Sequence, residues 1–241
     1  VMRDIDFFSW RREMLQQFQS THDGDSVYNL LQQQTEALEY DYYALCVRHP
    51  VPFTRPKLTL QSTYPQAWMS HYQAENYFAV DPVLRRENFL RGHLPWNDQL
   101  FCDTPELWNG ARDHGLNKGV TQCLTLPNHA LGFLSVSAKN AQPGSYQEDE
   151  LELRLRTLTE LSLLALLRLE DEMVMPPEMK FSRRELEILK WTAEGKTSAE
   201  VAMILSISEN TVNFHQKNMQ RKFNAPNKTQ IACYAVATGL I

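Results

Sequence analysis

Apolar residues recur along the chain at helical spacing in some stretches and at strand spacing in others, and these stretches predict its elements. Three- and four-residue steps predict amphipathic helices over residues 7–20 and 26–38. Apolar or alternating runs predict strands over residues 42–48, 57–62, 120–126 and 131–138, the last two joined as an antiparallel hairpin. Strands in the middle with helices at both ends predict an α/β fold, an α-β-α sandwich around an antiparallel sheet.

A break in the pattern near residue 175 divides the chain. Leucines at three- and four-residue steps predict one long helix over residues 146–175. Pro176 and Pro177 follow directly, and two consecutive prolines end a helix and stiffen the segment after it. We therefore predict an N-terminal domain over 1–173, a linker over 174–178 and a C-terminal domain over 179–241.

Residues that typically begin and end helices predict, by themselves, four short helices in the C-terminal domain. Ser182 with Glu185, and Thr197 with Glu200, have the spacing of capping boxes, in which each side chain bonds the backbone of the other residue. Ser208 caps a third helix over 209–223, and a fourth helix begins with an Asn/Gln variant of the box. The residues that carry the remaining signals are Gly195, Asn227, Gln230 and Gly239.

The third of these helices has two different faces. Its predicted packing face consists of Val212, His215, Met219 and Phe223. The opposite face carries Asn210, Asn213, Phe214, Lys217 and Arg221. Asn can bond adenine in two places, Lys can donate to guanine, and both basic residue types neutralise phosphates, so this face suits the major groove of DNA. The pattern indicates a helix-turn-helix, or else a small helical bundle with a solvated charged face.

Charge is distributed unevenly between the two predicted domains. The whole chain of 241 residues has a formal net charge of −5. Residues 180–241 hold nine Lys and Arg against five Asp and Glu, a net charge of +4, whereas residues 1–179 have a net charge of −9. A basic C-terminal part on an acidic body is the arrangement expected of a DNA-binding head.

The remaining composition favours a cytoplasmic globular protein. The four cysteines are scattered, without a C-x-x-C pair or zinc-type spacing, which fits a reduced compartment. No signal peptide is visible, and the longest apolar run, around residues 161–169, is too short for a bilayer, which needs about 20 apolar residues. We expect no membrane association.

Two other classes of protein fit the sequence poorly. The seven histidines are isolated, and H-E-x-x-H, G-x-S-x-G and Gly-rich phosphate loops are all missing. We therefore expect no enzyme, no catalytic residue, no metal and no cofactor. A phosphorylated receiver domain needs a βα repeat after acidic residues near its start, and the sequence has none.

Several polar aromatic and acidic residues of the N-terminal domain admit two interpretations. Tyr64 and Pro65 begin a predicted helix in which Tyr64, Trp68 and Tyr72 share one stripe. The stripe is either part of the core or the wall of a pocket. Three further residues have ordinary structural explanations: Asp81 as a cap or turn residue, Trp96 as a half-buried aromatic and Ser135 as a satisfied strand hydroxyl.

Both domains resemble one known family. The C-terminal domain is similar to LuxR-type DNA-binding domains through a pattern of about sixty residues. The N-terminal domain resembles acyl-homoserine-lactone receptors through Trp68, Tyr72, Asp81-Pro82, Trp96 and Gly119, in order and spacing. The C-terminal sequence departs mildly from the family at Phe223, where a branched aliphatic is usual. The residues that match the family are Gly195-Lys196-Thr197, Glu200-Val201-Ala202, Leu205-Ser206-Ile207-Ser208, Thr211-Val212, His215, Asn218 and Lys222.

The resemblance implies a regulator that binds an acyl-homoserine lactone in a closed pocket. It assigns the lactone carbonyl to Trp68, a donor without an acceptor. Asp81, acceptor-only when ionised, suits the amide N–H, and Tyr64 suits the acyl carbonyl with help from Ser135. Tyr72 and Trp96 would wall the ring. Candidates for the acyl-tail pocket are Leu60, Phe78, Val83 and Leu116.

The resemblance also implies the partners. We expect DNA, a second copy of the chain in a homodimer, and RNA polymerase, with activation of transcription as the outcome. The predicted DNA-contacting residues are Thr197, Ser198, Asn210, Thr211, Asn213, Phe214, Lys217 and Arg221. A different small-molecule input, or activity without a ligand, is the alternative.

Overall fold

Backbone contacts divide the chain into two compact units. The computed structural model describes residues 6–140 and 146–241. The first unit comprises the chain up to Val47, Thr59–Leu126 and Leu131–Asp171, and the second comprises Arg48–Leu58, Pro127–Ala130 and Glu172–Ile241. Residues 1–5 and 141–145 of the predicted N-terminal domain lie outside the described residues.

The first unit combines helices with a sheet. Its helices are α1 (Phe7–Gln19), α2 (Gly24–Ala37), α3 (Gln66–Ala74), α4 (Arg86–Phe89), α5 (Pro105–Asp113) and α6 (Glu148–Arg168). Its strands are β1 (Tyr42–Arg48), β2 (Leu58–Ser62), β3 (His93–Pro95), β4 (Lys118–Thr125) and β5 (Leu131–Ala138). The first two predicted helices and all four predicted strands are confirmed within two residues. The three-residue β3 and the short helices α4 and α5 were not predicted.

The described strands form one antiparallel sheet in the order β2-β1-β5-β4-β3. The predicted hairpin joins β4 to β5, with Thr125 opposite Leu131 and Thr121 opposite Ser135. The short strand β3 covers the far edge of β4, with Leu94 opposite Thr121. This register places the Thr121 and Ser135 side chains as a cross-strand pair on one face.

Successive residues of β5 face different layers, as the two-residue period of a strand requires. Gly132 faces α6, since a Cβ there would meet the side chain of Leu163. The neighbouring Phe133 and Ser135 face an internal cavity instead. Helices α3 and α5 pack together on that second side around Trp68, Tyr72, Leu107, Trp108 and Ala111. The α-β-α sandwich is therefore confirmed.

The long leucine-rich helix is shorter than its pattern predicted. The prediction of a helix over 146–175 is within two residues at its start but wrong at its end, because α6 spans Glu148–Arg168. Glu170 takes a left-handed conformation (φ 50°), and the Asp171 N–H bonds the Leu166 carbonyl. This closure satisfies carbonyls at the end of the helix without a glycine, so no residue type in the sequence marks the end of the helix. Within the described residues, no helix is long and apolar enough to cross a membrane.

The second unit contains the four predicted C-terminal helices. They are α7 (Arg183–Ala193), α8 (Ser198–Leu205), α9 (Glu209–Lys222) and α10 (Lys228–Ala237). Both capping boxes are formed, by Ser182 with Glu185 and by Thr197 with Glu200. Ser208 caps α9 by accepting the Thr211 N–H. The core between these helices includes Ile188, Val201, Val212, Met219 and Ile231.

The cap of α10 differs from the prediction in one bond. Asn227 accepts the Gln230 N–H, as the Asn/Gln box requires. The Gln230 side chain, however, donates to the Tyr234 hydroxyl rather than returning to Asn227. The box is therefore only half formed, because a partner one turn further along α10 competes for the Gln230 amide.

Candidate functional site

A cavity lies in the first unit between the sheet and helices α3 and α5. The six side chains predicted to bind a ligand all line it: Tyr64, Trp68, Tyr72, Asp81, Trp96 and Ser135. Its other walls are largely apolar and include the four predicted tail-pocket residues Leu60, Phe78, Val83 and Leu116. A mainly apolar cavity with a few converging polar groups is the usual form of a small-molecule site.

The aromatic stripe is placed by the start of α3. Pro65 is the N-cap of α3 rather than its first helical residue, so the prediction for Tyr64-Pro65 is one residue off. Tyr64 therefore precedes the helix, whereas Trp68 and Tyr72 lie on it. The rings of Trp68 and Tyr72 pack edge to face with centroids 5.7 Å apart. The stripe is both core and cavity wall, since both rings are buried.

Asp81 holds its position through both carboxylate oxygens. Its Oδ1 accepts the Val83 N–H at 2.9 Å, which caps the 3₁₀ turn Pro82–Leu84. Its Oδ2 accepts the Tyr72 hydroxyl at 2.6 Å. Burial raises the pKa of Asp81 above its usual range, and the bonds from Tyr72 and Val83 offset part of that rise. The carboxylate keeps lone pairs for a further donor.

The indole N–H of Trp68 is available to a ligand. Three other tryptophans of this unit donate to protein acceptors: Trp10 to Gln34, Trp96 to Thr121 and Trp108 to Asp98. No residue that the structure describes accepts from Trp68, although its ring is only 2% exposed. Because the ring lines the cavity and its N–H has no acceptor among these residues, this N–H is well suited to a ligand carbonyl.

The Tyr64 hydroxyl is a second donor that is available to a ligand. It is buried, and no described residue bonds it within 3.5 Å at good geometry, although the Ser135 and Ser137 hydroxyls lie close enough to interact with it. Burial, together with the nearby Asp81 carboxylate, raises the pKa of Tyr64 far above its usual range, so the phenol keeps its proton. Burial likewise raises the pKa of the cavity-lining Cys46 thiol to about 12.

A chain of polar side chains forms the wall of the cavity on the sheet side. Trp96 donates to the Thr121 hydroxyl at 2.9 Å, and Thr121 shares a 2.8 Å hydrogen bond with Ser135. Gly119 makes room for this arrangement, since a Cβ at that position would overlap the Trp96 ring. The predicted Ser135 hydroxyl is thus already engaged, and Trp96 is held in a fixed orientation.

Two groups of the cavity were missed by sequence reasoning. The Val83 N–H fixes Asp81, and Thr121 links Trp96 to Ser135. Every residue except proline has a backbone N–H, so the sequence does not show which of them bonds Asp81. Thr121, by contrast, lies directly opposite Ser135 in the predicted hairpin, so a register assigned from the loop would have found it.

The second unit presents the predicted recognition helix, α9. Val212, Met219 and Phe223 are buried, which confirms that face, while His215 is half-buried. Sequence reasoning missed Gln216, a buried residue that accepts the Ser198 hydroxyl and donates to Thr192. This amide ties α9 to both preceding helices and so fixes the angle at which its outer face is presented.

The outer face of α9 carries the predicted DNA-contacting side chains. Asn210, Phe214, Lys217 and Arg221 are exposed, and Thr211 and Asn213 are half-buried beside them. Arg221 donates to Asn218, and no ion pair among the described residues engages Lys217. The face is therefore polar, cationic and open.

The two remaining predicted contacts lie at the start of α8. Thr197 is exposed, but its hydroxyl serves the capping box with Glu200. Ser198 is 9% exposed, and its hydroxyl is used by Gln216. Neither side chain is free, and the Thr197 N–H is bonded to Glu200, so a phosphate contact of these two residues would use the Ser198 N–H at this helix N-terminus. Across the described residues, no group of three or more potential ligands could hold a metal ion.

The class of protein follows from the two sites together with two matching family models. An autoinducer binding domain matches residues 23–168, which contain the cavity. The model for bacterial regulatory proteins of the luxR family matches residues 179–235, which contain the helix-turn-helix. The chain belongs to the LuxR family of quorum-sensing transcription regulators.

Individual relatives match over the whole chain. Regulatory protein SdiA of Escherichia coli (strain K12) is 64% identical over 240 residues, covering 100% of both chains. The quorum-sensing regulator RhlR of Pseudomonas aeruginosa is 47% identical over 243 residues, again covering 100% of both. A solved structure of SdiA in complex with octanoyl-rac-glycerol matches with a TM-score of 0.87, covering 99% of this chain and 98% of that one.

Proposed function

We propose that the cavity binds an acyl-homoserine lactone and that the occupied protein regulates transcription through α9. The observation that carries this proposal is the pairing, in one buried cavity, of the unpartnered Trp68 N–H with the anchored Asp81 carboxylate. The Trp68 N–H is a donor, and the Asp81 carboxylate is an acceptor. The head of an acyl-homoserine lactone has an amide N–H with a carbonyl on either side, so it needs a donor and an acceptor together.

The polar head of the ligand matches the polar groups of the cavity one by one. Trp68 donates to the lactone carbonyl, Tyr64 donates to the acyl carbonyl, and Asp81 accepts the amide N–H. Tyr72 and Trp96 enclose the ring, since Tyr72 is bonded to Asp81 and Trp96 to Thr121. The acyl tail lies among the apolar side chains, where burial of each methylene contributes about 0.8 kcal/mol.

A monoacylglycerol is the second candidate ligand, because the SdiA structure with 64% identity holds octanoyl-rac-glycerol. Such a ligand offers one ester carbonyl to Trp68 or Tyr64 and two hydroxyl donors to Asp81. It lacks the second carbonyl, but a hydroxyl oxygen can accept from the second donor in its place. The glycerol head has rotatable bonds that must be ordered on binding, whereas the lactone ring is rigid, so we expect the lactone to bind more tightly at equal tail length.

On the DNA side, we infer that α9 enters the major groove. Its exposed Asn and Lys side chains suit base edges, and its basic residues suit phosphates. A homodimer would present two such helices to a two-fold operator. We further propose that the protein works in the cytoplasm, contacts RNA polymerase as an activator, and catalyses no reaction.

The direct test is to measure lactone affinity in full-length Trp68→Phe, which keeps a ring but loses the N–H. We expect N-octanoyl-homoserine lactone to bind this variant more weakly by about 1–3 kcal/mol, or roughly 5- to 150-fold, in isothermal titration. Trp10→Phe is the matched control, because Trp10 is also buried but donates to Gln34, away from the cavity.

Equal affinity in the wild type and in Trp68→Phe would contradict the proposed role of the indole. Mass spectrometry of the ligand after incubation separates a receptor from an enzyme. A receptor returns the lactone intact, whereas a hydrolase returns the ring-opened acid.

A further inference from the structure

An exposed aromatic ring lies within the polar face of α9. Phe214 is 59% exposed, and its ring meets the His215 ring edge to face with centroids 5.7 Å apart. It shares one stripe of the helix with Asn210, one turn before it, and Lys217, one turn after it. The core face of α9 is filled by other side chains, so Phe214 is not a displaced core residue.

Exposure alone does not give Phe214 a role. Single exposed apolar side chains are common, and Leu90 at 81% and Met203 at 75% are more exposed. What distinguishes Phe214 is its position among residues that offer hydrogen bonds or positive charge to DNA. Of the eight predicted contacts, it is the one whose side chain can do neither.

The chemistry of the major groove limits what a phenyl ring can read there. Base edges in that groove present donors and acceptors, and the one apolar group among them is the C5-methyl of thymine. A phenyl ring on the face of a recognition helix therefore distinguishes bases by apolar contact with that methyl group.

We propose that Phe214 is a specificity-determining residue that selects thymine in the operator. The proposal rests on the proposed function, since it requires α9 to lie in the major groove. Asn210 and Asn213 flank Phe214 on the same face and suit adenine, so this face is built for A·T pairs. Lys217, next on the stripe, supplies the donor for an adjoining guanine.

The test removes methyl groups from DNA one at a time. A duplex is first selected from a random-sequence library by the full-length protein with N-octanoyl-homoserine lactone present. Each thymine is then replaced singly by deoxyuridine, which keeps the base pair and deletes only the methyl. We expect one position in each half-site to lower wild-type affinity about fourfold, the equivalent of ~0.8 kcal/mol for one methyl group.

The variant Phe214→Ala assigns that effect to the side chain. It should bind the selected duplex about fourfold or more weakly than wild type and should be indifferent to deoxyuridine at the sensitive position. Met203→Ala is the matched control, since it removes an even more exposed apolar side chain from α8 and should keep the wild-type profile. Phe214→Leu, which retains apolar contact, should keep part of the sensitivity to deoxyuridine at that position. It replaces Phe214→Ala as the test variant if the alanine variant does not fold.

Two results would overturn the proposal. One is the same deoxyuridine profile in wild type and in the Phe214 variant. The other is a uniform loss by the variant on selected and random duplexes alike, which would mean a backbone contact. If the wild type selects no duplex at all, it is the proposed DNA-binding function that fails, and the assignment of Phe214 falls with it.

Discussion

Asp81 uses its two oxygens for two different structural purposes. Oδ1 caps the turn Pro82–Leu84 through the Val83 N–H, and Oδ2 is bonded by the Tyr72 hydroxyl. The sequence presented the cap and the ligand contact as alternatives, but the geometry allows both, because a carboxylate has about four acceptor positions. The cap fixes the direction in which the remaining lone pairs point.

The raised pKa of Asp81 predicts proton-linked ligand binding. Because burial favours the neutral acid in the free protein, ionising Asp81 weakens the fold as pH rises through this raised pKa. A bound amide N–H favours the ionised form instead. Lactone affinity should therefore fall as pH is lowered, in a window above the ordinary Asp pKa of about 3.9, with net proton release on binding.

Isothermal titration in buffers of different ionisation enthalpy measures this proton release. Asp81→Asn keeps an oxygen for the cap but cannot ionise, so it should bind more weakly and lose the pH dependence in this window. An unchanged pH profile in Asp81→Asn would show that another group carries the linkage.

Individual site residues differed in how far the sequence could reveal them. Trp68 and Asp81 follow from the chemistry that a lactone demands, together with a resemblance in spacing. Gln216 was invisible, because a glutamine in a polar helix looks solvated until its partners Ser198 and Thr192 are placed by the tertiary fold. The same contact explains why the Ser198 side chain, predicted to meet DNA, is buried.

At the scale of elements, the hairpin β4–β5 supports the cavity through a close approach. Gly119→Ala places a methyl group against the Trp96 ring, so Trp96 must move and its bond to Thr121 must break. We expect the free energy of unfolding to drop by about 1–3 kcal/mol, as in other overpacked sites, together with weaker lactone binding. Chemical denaturation and titration measure the two effects.

The second substitution Trp96→Phe provides the control for Gly119→Ala. It replaces the indole, whose Cε3 and Cζ3 the new Cβ would overlap, by a smaller ring, so the double variant should recover part of the lost stability. Additive losses in the double variant would contradict a direct clash between the two positions.

Local signals predicted elements well where they were self-contained. The caps of α7, α8 and α9 depend on residues three apart, so Ser182, Thr197 and Ser208 could be read directly. The end of α6 could not, because Glu170 adopts a left-handed conformation without the glycine that normally announces it. Strand β3 is three residues long, too short for any period to show.

The exposed face of α9 predicts a specific effect for Lys217. Lys217→Ala should weaken binding to a selected operator by about 1–3 kcal/mol if the ammonium reads a base, with a smaller loss on random DNA. Lys190→Ala is the charge-matched control, since Lys190 is exposed on α7. Fluorescence anisotropy over a salt series measures both variants, and a loss that is equal on both duplexes would instead place Lys217 on a phosphate.

At the scale of the whole molecule, ligand binding and stability are linked. The cavity is lined by the Trp68 N–H, for which no described residue is an acceptor, by the buried Tyr64 hydroxyl, and by a carboxylate that burial disfavours in its ionised form. A ligand that satisfies all three stabilises the folded state by mass action, by about 2.7 kcal/mol at one hundred times its Kd. Occupancy of the cavity therefore changes the free energy of unfolding, and this change couples ligand concentration to the stability of the protein.

The most direct measurement is thermal unfolding of the full-length protein with acyl-homoserine lactones of several chain lengths. We expect an upward shift of Tm in the wild type that grows with lactone concentration. The shift should be smaller in Trp68→Phe, and it should be retained in Trp10→Phe. A shift of equal size in Trp68→Phe would rule out the proposed role of the indole, and no shift with any lactone, in protein shown by mass spectrometry to be free of ligand, would rule out lactone binding.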